Sequence, residues 1–132
     1  MRRIFVFGSN LAGRHGRGSA HHAKLHHGAK YGIGIGPCGD SYAIPTKDDK
    51  LRVLPVSRIK CHVWDFIRYA EAHPELAFDV VRIGCGLAGY SDEQMAPLFK
   101  GAPPNVVLHN KWEQILGRKT DARYEDSSPR AR

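Results

Sequence analysis

The sequence has few cysteines and no long hydrophobic run. Its three cysteines, Cys38, Cys61 and Cys85, are odd in number, widely spaced and form no CxxC pair, so we expect neither a disulfide framework nor a cysteine zinc site. We predict three free thiols in a reducing cytoplasm. No apolar run approaches the roughly 20 residues of a membrane-spanning helix, and residues 4–7 are too short for a secretory signal. These absences predict a cytoplasmic protein without a membrane partner.

Glycine and positive charge are plentiful. The chain has 132 residues, 14 glycines and a net charge of +7. Such a glycine content predicts tight turns and backbone that approaches a ligand closely. The first 60 residues contain 11 Lys and Arg but only 3 Asp and Glu, which indicates an anionic partner for that half or simply a solvated basic surface. We predict one domain over residues 1–117 and a polar, disordered tail over residues 118–132.

Apolar blocks of two kinds alternate along the chain. Short continuous runs are typical of strands buried on both faces, and runs with helical spacing are typical of amphipathic helices. The predicted strands are residues 4–7, 41–45, 79–83 and 105–108. The predicted helices are one within 19–30 that ends at Gly28 or just beyond, a long one from 56, 91–101 and 112–116. Residues 32–36 are either a strand edge or a ligand-facing loop. This alternation predicts an α/β fold, a three-layer α/β/α sandwich with a mixed, largely parallel sheet.

Two glycine-rich segments follow predicted strand ends, at residues 8–18 and 84–90. Ligands of such sheets bind outside the carboxyl ends of the strands, so we expect one site built from both segments. Glycines let backbone N–H groups surround phosphate oxygens, and the helix that follows each segment adds positive charge at its N-terminus. Arg14 and Arg17 could pair with the same phosphates. The alternative is that both segments are connections without a ligand.

Three segments together resemble the macrodomain family. Residues 7–10 (Phe-Gly-Ser-Asn) followed by residues 15–18 (His-Gly-Arg-Gly) are similar to its first signature. Residues 83–87 (Ile-Gly-Cys-Gly-Leu) are similar to the second phosphate loop of the subgroup that removes ADP-ribose from acidic residues. Residues 44–47 (Ile-Pro-Thr-Lys) resemble the segment that supplies a nucleophilic lysine in that subgroup.

The resemblance implies a protein that binds ADP-ribose, with no cofactor, and that acts either as a reader or as a hydrolase of ADP-ribosyl linkages. It implies that Asn10 contacts the distal ribose and that Lys47 is the nucleophile or an electrostatic catalyst. Asp92 joins Lys47 and Asn10 as a candidate catalytic residue. The candidate ligand-binding residues, all in the two segments, are Gly8, Ser9, Asn10, His15, Gly16, Gly18, Gly84, Cys85, Gly86, Leu87, Ala88, Gly89 and Tyr90.

The proton donor is the open point of this hypothesis. The subgroup has an aspartate directly after Gly-Cys-Gly-Leu, and this sequence has Ala88 there. Proton transfer must then come from Asp92, His15 or water. Asp92 is alternatively a helix-capping residue, and His15 is alternatively structural support.

Other residues leave further alternatives. His22 and His26 lie four apart and could share a metal, but no acidic or cysteine ligand is nearby, so we predict a polar helix face and no metal. Tyr90 either stacks on the ligand or packs, and Cys85 is a less favoured candidate nucleophile. A basic nucleic-acid-binding module without catalysis is the alternative function, since nucleic acid is also a possible anionic partner.

Overall fold

A five-stranded sheet forms the centre of the fold. The computed structural model describes residues 1–125. The strands are β1 (Arg3–Asn10), β2 (Gly36–Cys38), β3 (Ser41–Lys47), β4 (Ala77–Val80) and β5 (Val106–Val107). They lie in the order β2-β3-β1-β4-β5. β2 runs antiparallel to β3 and all other neighbours are parallel, which confirms the prediction of a mixed, largely parallel sheet.

Helices cover both faces of this sheet. α1 (Gly18–His26) packs on one face and α2 (Val56–Ala72) on the other, together with α3 (Asp92–Met95), the 3-10 helix Ala96–Phe99 and α4 (Asn110–Leu116). Side chains of β1 point alternately to the two faces: Ile4 and Val6 join the α2 side and Phe7 the α1 side. The α/β/α sandwich follows from this alternation.

The two helical layers differ in their side chains. α2 buries Ile59, Val63, Phe66, Ile67 and Ala70, the apolar face that its helical spacing predicts. α1 buries only Ala20 and Ala23. Alanines carry little apolar surface, so most of the core lies between the sheet and α2.

Several element boundaries differ from the sequence prediction. α1 ends at His26, two residues before the end predicted at Gly28, and Gly28 itself has a φ of +76°. β4 ends at Val80, so residues 81–83 belong to a loop. The helix predicted for residues 91–101 is split into α3 and a 3-10 helix, because Pro97 has no N–H to continue the α-helical ladder.

Residues 118–125, which the sequence assigns to a disordered tail, instead pack on the domain. The Arg118 guanidinium donates hydrogen bonds to the carbonyl oxygens of Ala102, Pro103 and Val106 at 2.6–2.8 Å. Tyr124 is buried against Ala77 and Val107. The boundary predicted at residue 117 does not hold for this stretch, and residues 126–132 of the predicted tail lie outside the described residues. Within residues 1–125, no helix is long and apolar enough to cross a membrane.

Candidate functional site

A cleft of about 680 Å³ opens at the carboxyl ends of the central strands. The segments that follow β1, β3 and β4 all contribute to it, which is where the sheet topology predicts a ligand site. We call residues 8–18 loop 1 and residues 84–90 loop 2. The residues that line the cleft are Gly8, Ser9, Asn10, Arg14, Gly16, Arg17, Gly18, Ser19, Thr46, Lys47, Leu51, Val81, Arg82, Ile83, Gly84, Cys85, Gly86, Leu87 and Ala88.

Asn10 closes loop 1 through its side-chain amide. Its Oδ1 accepts a hydrogen bond from the Arg14 backbone N–H at 2.9 Å, and its Nδ2 donates to the Arg14 carbonyl oxygen at 2.9 Å. The two bonds fix the turn that brings Arg14 and Gly16 to the cleft wall. In this arrangement the amide of Asn10 shapes the loop, and the residue lies in the lining where the sequence predicts it.

Two glycines of the segment 32–36, Gly32 and Gly34, support loop 1 from the side away from the cleft. The Gly32 N–H donates to the Gly13 carbonyl oxygen at 2.8 Å. A Cβ on Gly34 would lie 2.0 Å from the Asn10 carbonyl oxygen, and a Cβ on Gly13 would lie 2.4 Å from the Gly32 carbonyl carbon. Backbone atoms cannot yield to such contacts, so both positions require glycine. Residues 32–36 thus support the site but do not line the cleft. The alternative that they form a ligand-facing loop is wrong.

The N-terminus of α1 reaches the cleft without a side-chain cap. Gly18 and Ser19 line the cleft, and Arg17 at the N-cap position makes no capping hydrogen bond. The first N–H groups of the helix therefore keep the partial positive charge that favours an anion. Both Arg14 and Arg17 are exposed beside them.

Loop 2 is fixed by tight turns of its own. Gly84 has a φ of +80°, and a Cβ there would lie 2.6 Å from the Met95 sulfur. The Tyr90 N–H donates to the Gly84 carbonyl oxygen at 2.8 Å, and its hydroxyl donates to the Leu54 carbonyl oxygen at 2.6 Å. Tyr90 therefore anchors the loop, which is the packing alternative for this residue.

Loop 2 brings no free helix N-terminus, in contrast to the sequence prediction. Ser91 caps α3, since its side chain accepts from the Gln94 N–H while the Gln94 side chain accepts from the Ser91 N–H. This capping box satisfies the backbone N–H groups of Ser91 and Gln94, which are then not available to a phosphate. The contribution of loop 2 is its backbone at residues 84–88, where the space beside Gly86 is open.

Lys47 ends β3 opposite Asn10, at an irregularity in the pairing of β1 with β3. It is half-buried and lines the cleft. The neighbouring carboxylate of Asp48 turns away: it accepts from the backbone N–H groups of Lys50 and Arg52 and pairs with the Arg52 guanidinium at 2.9 Å. These bonds, first that from the Arg52 N–H, lower the pKa of Asp48. Lys47 thus lacks a carboxylate partner among residues 1–125.

Asp92 is buried and lies outside the cleft lining, between the buried Trp112 and the exposed side chains of Arg82 and Lys111. It accepts two hydrogen bonds from the Arg82 guanidinium at 2.7 and 2.8 Å and one from the Trp112 indole N–H at 2.7 Å, and the Lys111 ammonium lies 3.3 Å away. These donors, above all Arg82, hold the pKa of Asp92 far below its usual range. A carboxylate so firmly ionised is a poor proton donor, and the capping role belongs to Ser91.

Cys85 lines the cleft as a protonated thiol. Burial, and the nearby Asp92 carboxylate, raise its pKa to about 11. The thiolate is the nucleophilic form of cysteine, so the environment disfavours a catalytic thiol here.

The histidines of loop 1 and of α1 lie on the α1 side of the sheet. His15 is 1% exposed, its Nε2 lies 3.0 Å from the Ile33 carbonyl oxygen, and its ring packs edge-on against Phe7. His15 does not line the cleft, which favours the alternative that it supports the structure over a role in proton transfer. His22 lies beside His26 and His27, and His27 stacks on Phe5. Within residues 1–125 no group of histidine, cysteine or acidic residues could hold a metal ion.

The cleft brings together most of the predicted site residues. Those it does not include are His15, Asp92, Gly89 and Tyr90. It adds Ser19, Thr46, Leu51, Val81, Arg82 and Ile83, which we did not predict as site residues. Thr46 and Ile83 lie inside the segments that resemble the family, so they could have been predicted as site residues if every residue of those segments had been included. Leu51 has no such signal in the sequence.

Comparison with models of known protein families and with curated proteins gives no match. A similar solved structure is that of a protein of unknown function from Bacteroides thetaiotaomicron. It is 16% identical, covers 81% of this chain and 86% of its own, and superposes with a TM-score of 0.58. At this identity the likeness shows that the two proteins share a fold.

Proposed function

We propose that this protein binds ADP-ribose or a related NAD-derived nucleotide in the cleft between loop 1 and loop 2. The observation that carries the proposal is that two glycine-rich loops, distant in sequence, line one cleft at the carboxyl ends of parallel strands. Backbone N–H groups of such loops are suited to phosphate oxygens. The resemblance of the same loops to the macrodomain family supports the choice of ligand.

The charge of the cleft favours an anion. Arg14, Arg17 and Lys47 line it, and none of them forms an ion pair within residues 1–125. The part of the chain that the structure describes places no carboxylate in the lining. A diphosphate would meet Arg14, Arg17 and the uncapped N-terminus of α1 together.

The size of the cleft also suits a nucleotide. Its volume of about 680 Å³ lies within the roughly 300–1,000 Å³ of small-molecule sites. An inorganic phosphate alone would leave most of this space empty. Ring and sugar groups joined to the diphosphate would fill it.

Hydrolysis of an ADP-ribosyl linkage is the catalytic extension of this proposal, with Lys47 as the reacting or charge-stabilising group. Lys47 is the candidate because it lies in the cleft beside Asn10. Asp92 does not lie in the cleft, and Cys85 is held as a thiol. Proton transfer therefore falls to water.

Calorimetric titration with ADP-ribose tests the binding proposal. The blocking variant is Gly86→Val, which fills open space at the cleft wall, and the matched control is Gly101→Val, at a glycine with equally open surroundings outside the lining. We expect the wild type and Gly101→Val to bind equally and Gly86→Val to bind at least about tenfold more weakly. A wild type that gives no heat of binding, or a Gly86→Val variant that binds normally, would contradict the proposal.

Nucleic-acid binding remains the competing function, because the same cations attract any phosphate chain. Its affinity would fall steeply and log-linearly with salt. Titration of a single-stranded oligonucleotide into the wild type and Gly86→Val separates the two functions. Oligonucleotide binding that is unchanged in Gly86→Val would take place outside the cleft.

A further inference from the structure

Leu51 has a backbone conformation that a leucine rarely adopts. Its φ is +63°, and it is the only non-glycine residue with positive φ within residues 1–125. The nine other residues in this region of φ are all glycines. A branched side chain at positive φ is sterically disfavoured, so glycine would be the easier residue at this position too.

The turn around Leu51 imposes the conformation. The Asp48 N–H donates to the Arg52 carbonyl oxygen at 2.8 Å, and the Leu51 N–H donates back to the Asp48 carbonyl oxygen at 3.1 Å. The Asp48 side chain accepts from the N–H groups of Lys50 and Arg52. Backbone bonds and one carboxylate define this turn, and the leucine side chain takes no part in them.

The Leu51 side chain also gains little from burial. It is 45% exposed and lies in the cleft lining. The other large apolar side chain exposed in the lining is Leu87, which lies over Gly18 at the start of α1. Leu51 follows β3 and Leu87 follows β4, and β1 lies between these strands. The two leucines therefore border the cleft on opposite sides of β1.

We propose that Leu51 is the apolar contact for a flat ring of the ligand, so that the cleft selects a diphosphate that carries a heterocyclic base over a bare diphosphate. This inference rests on the proposed function. The Leu51 side chain is exposed to water at the rim of the cleft. Contact with the face of a ligand ring would remove this apolar surface from water, which favours binding. The cations and glycine loops supply the anion site, and Leu51 supplies the preference for the ring.

Replacement of Leu51 by glycine tests the inference. Leu51→Gly removes the side chain and places a residue that adopts positive φ easily at this position. Glycine also adds freedom to the unfolded chain, which opposes this gain. We therefore expect the fold to be preserved, with a melting temperature within roughly two degrees of the wild type. We expect ADP-ribose and ADP to bind about fivefold or more weakly, from the lost apolar contact. We expect inorganic pyrophosphate to change less than about twofold.

Two variants serve as controls in the same titrations. Leu51→Met keeps an apolar side chain of similar size, without the branch, and should retain the affinity for ADP. Val53→Ala removes an apolar side chain with the same 45% exposure in the same segment, outside the lining, and should change nothing.

The outcomes separate this inference from the proposed function. A Leu51→Gly variant that binds ADP like the wild type, or that loses pyrophosphate equally, would overturn the role of Leu51 while ADP-ribose binding stands. A wild type that binds pyrophosphate as tightly as ADP would overturn it as well. A wild type that binds neither ADP-ribose nor ADP would overturn both.

Discussion

Lys47 is the residue on which catalysis would depend. It reaches the cleft at the end of β3, and its neighbour Asp48 is engaged with Arg52. If the protein cleaves an ADP-ribosyl bond, Lys47→Ala should lower turnover at least about 100-fold and leave ADP-ribose affinity within a few-fold, since the role belongs to the transition state. Lys47→Arg should fail nearly as badly if the role is nucleophilic, because guanidinium stays protonated.

The measurement is release of ADP-ribose from acidic-residue, arginine, serine and nucleic-acid conjugates. Restoring a carboxyl group with Ala88→Asp should raise turnover if only the proton donor is lacking. A wild type that binds ADP-ribose and releases none from any conjugate would be a reader, and Lys47 would have no catalytic role.

Asp92 stabilises the fold in its ionised form. Its pKa is lowered by Arg82 and Trp112, so its stabilising effect is complete above the unfolded-state pKa of about 3.9 and is lost as pH falls further toward the lowered folded-state pKa. We expect Asp92→Asn to reduce the free energy of unfolding by about 1–3 kcal/mol at pH 7. Urea unfolding of both proteins at pH 7 and pH 3 checks this.

The difference between wild type and Asp92→Asn should shrink at pH 3, because the wild-type carboxyl is largely protonated there in the unfolded state but still ionised in the folded state. A difference that is the same at both pH values would show that packing around Asp92, and not its charge, stabilises the fold.

The role of Asp92 shows what local sequence cannot predict. From the sequence alone, Asp92 is predicted to be either a helix-capping residue or an acid that transfers protons, because it follows Ser91 at the start of a helix. Its partners Arg82 and Trp112 are 10 and 20 residues away, and they meet Asp92 only because the loop after β4 and helix α4 both pack beside α3. The positions of Asn10 and Lys47 in one cleft were predictable, since both end strands that sequence pattern identifies as buried.

At the scale of elements, hydrophobic pattern predicted β1, β3, β4, β5 and α2, whose spacing is long and regular, and it did not predict β2. The pattern failed where tertiary contacts decide the structure. Residues 118–125 have a polar composition, but Arg118 and Tyr124 attach them to the domain by hydrogen bonds to backbone carbonyl oxygens of other segments. The alternation of glycine and isoleucine at 32–36 does not show that Gly34 lies in close contact with the backbone of loop 1.

Loop 1 should depend on Gly34 for its shape. A Cβ at Gly34 would lie 2.0 Å from the Asn10 carbonyl oxygen, whereas nothing lies within 4 Å of a Cβ at Gly16. We therefore expect Gly34→Ala to lower the free energy of unfolding by about 2 kcal/mol or more and to weaken ADP-ribose binding, as loop 1 must move. Gly16→Ala should change stability by less than about 0.5 kcal/mol.

Chemical denaturation and titration of the two variants provide the measurement. Gly16→Val, with a larger side chain at the same open position, should keep its stability and lose ligand affinity. If Gly34→Ala were as stable as the wild type, segment 32–36 would not support loop 1.

Across the whole molecule, the basic residues of the first 60 positions include two groups with different surroundings. Some are paired at the surface, as Arg2 is with Asp40 and Arg52 with Asp48. Others lie unpaired, within the described chain, at the cleft. The net charge of +7 therefore acts on a ligand in two ways: as a general attraction that salt screens, and as direct contact with cations of loop 1.

Charge reversal at two positions separates these effects. Arg17→Glu and Arg68→Glu each lower the net charge by two, but Arg17 lines the cleft and Arg68 is exposed in the last turns of α2, outside the lining. In ~0.1 M salt, where charges are screened beyond roughly 10 Å, we expect Arg17→Glu to weaken ADP-ribose binding at least about tenfold and Arg68→Glu less than about twofold. Titration of both variants at low and at moderate salt gives the comparison. Equal losses in the two variants would mean that net charge alone attracts the ligand and that loop 1 makes no direct contact with its phosphates.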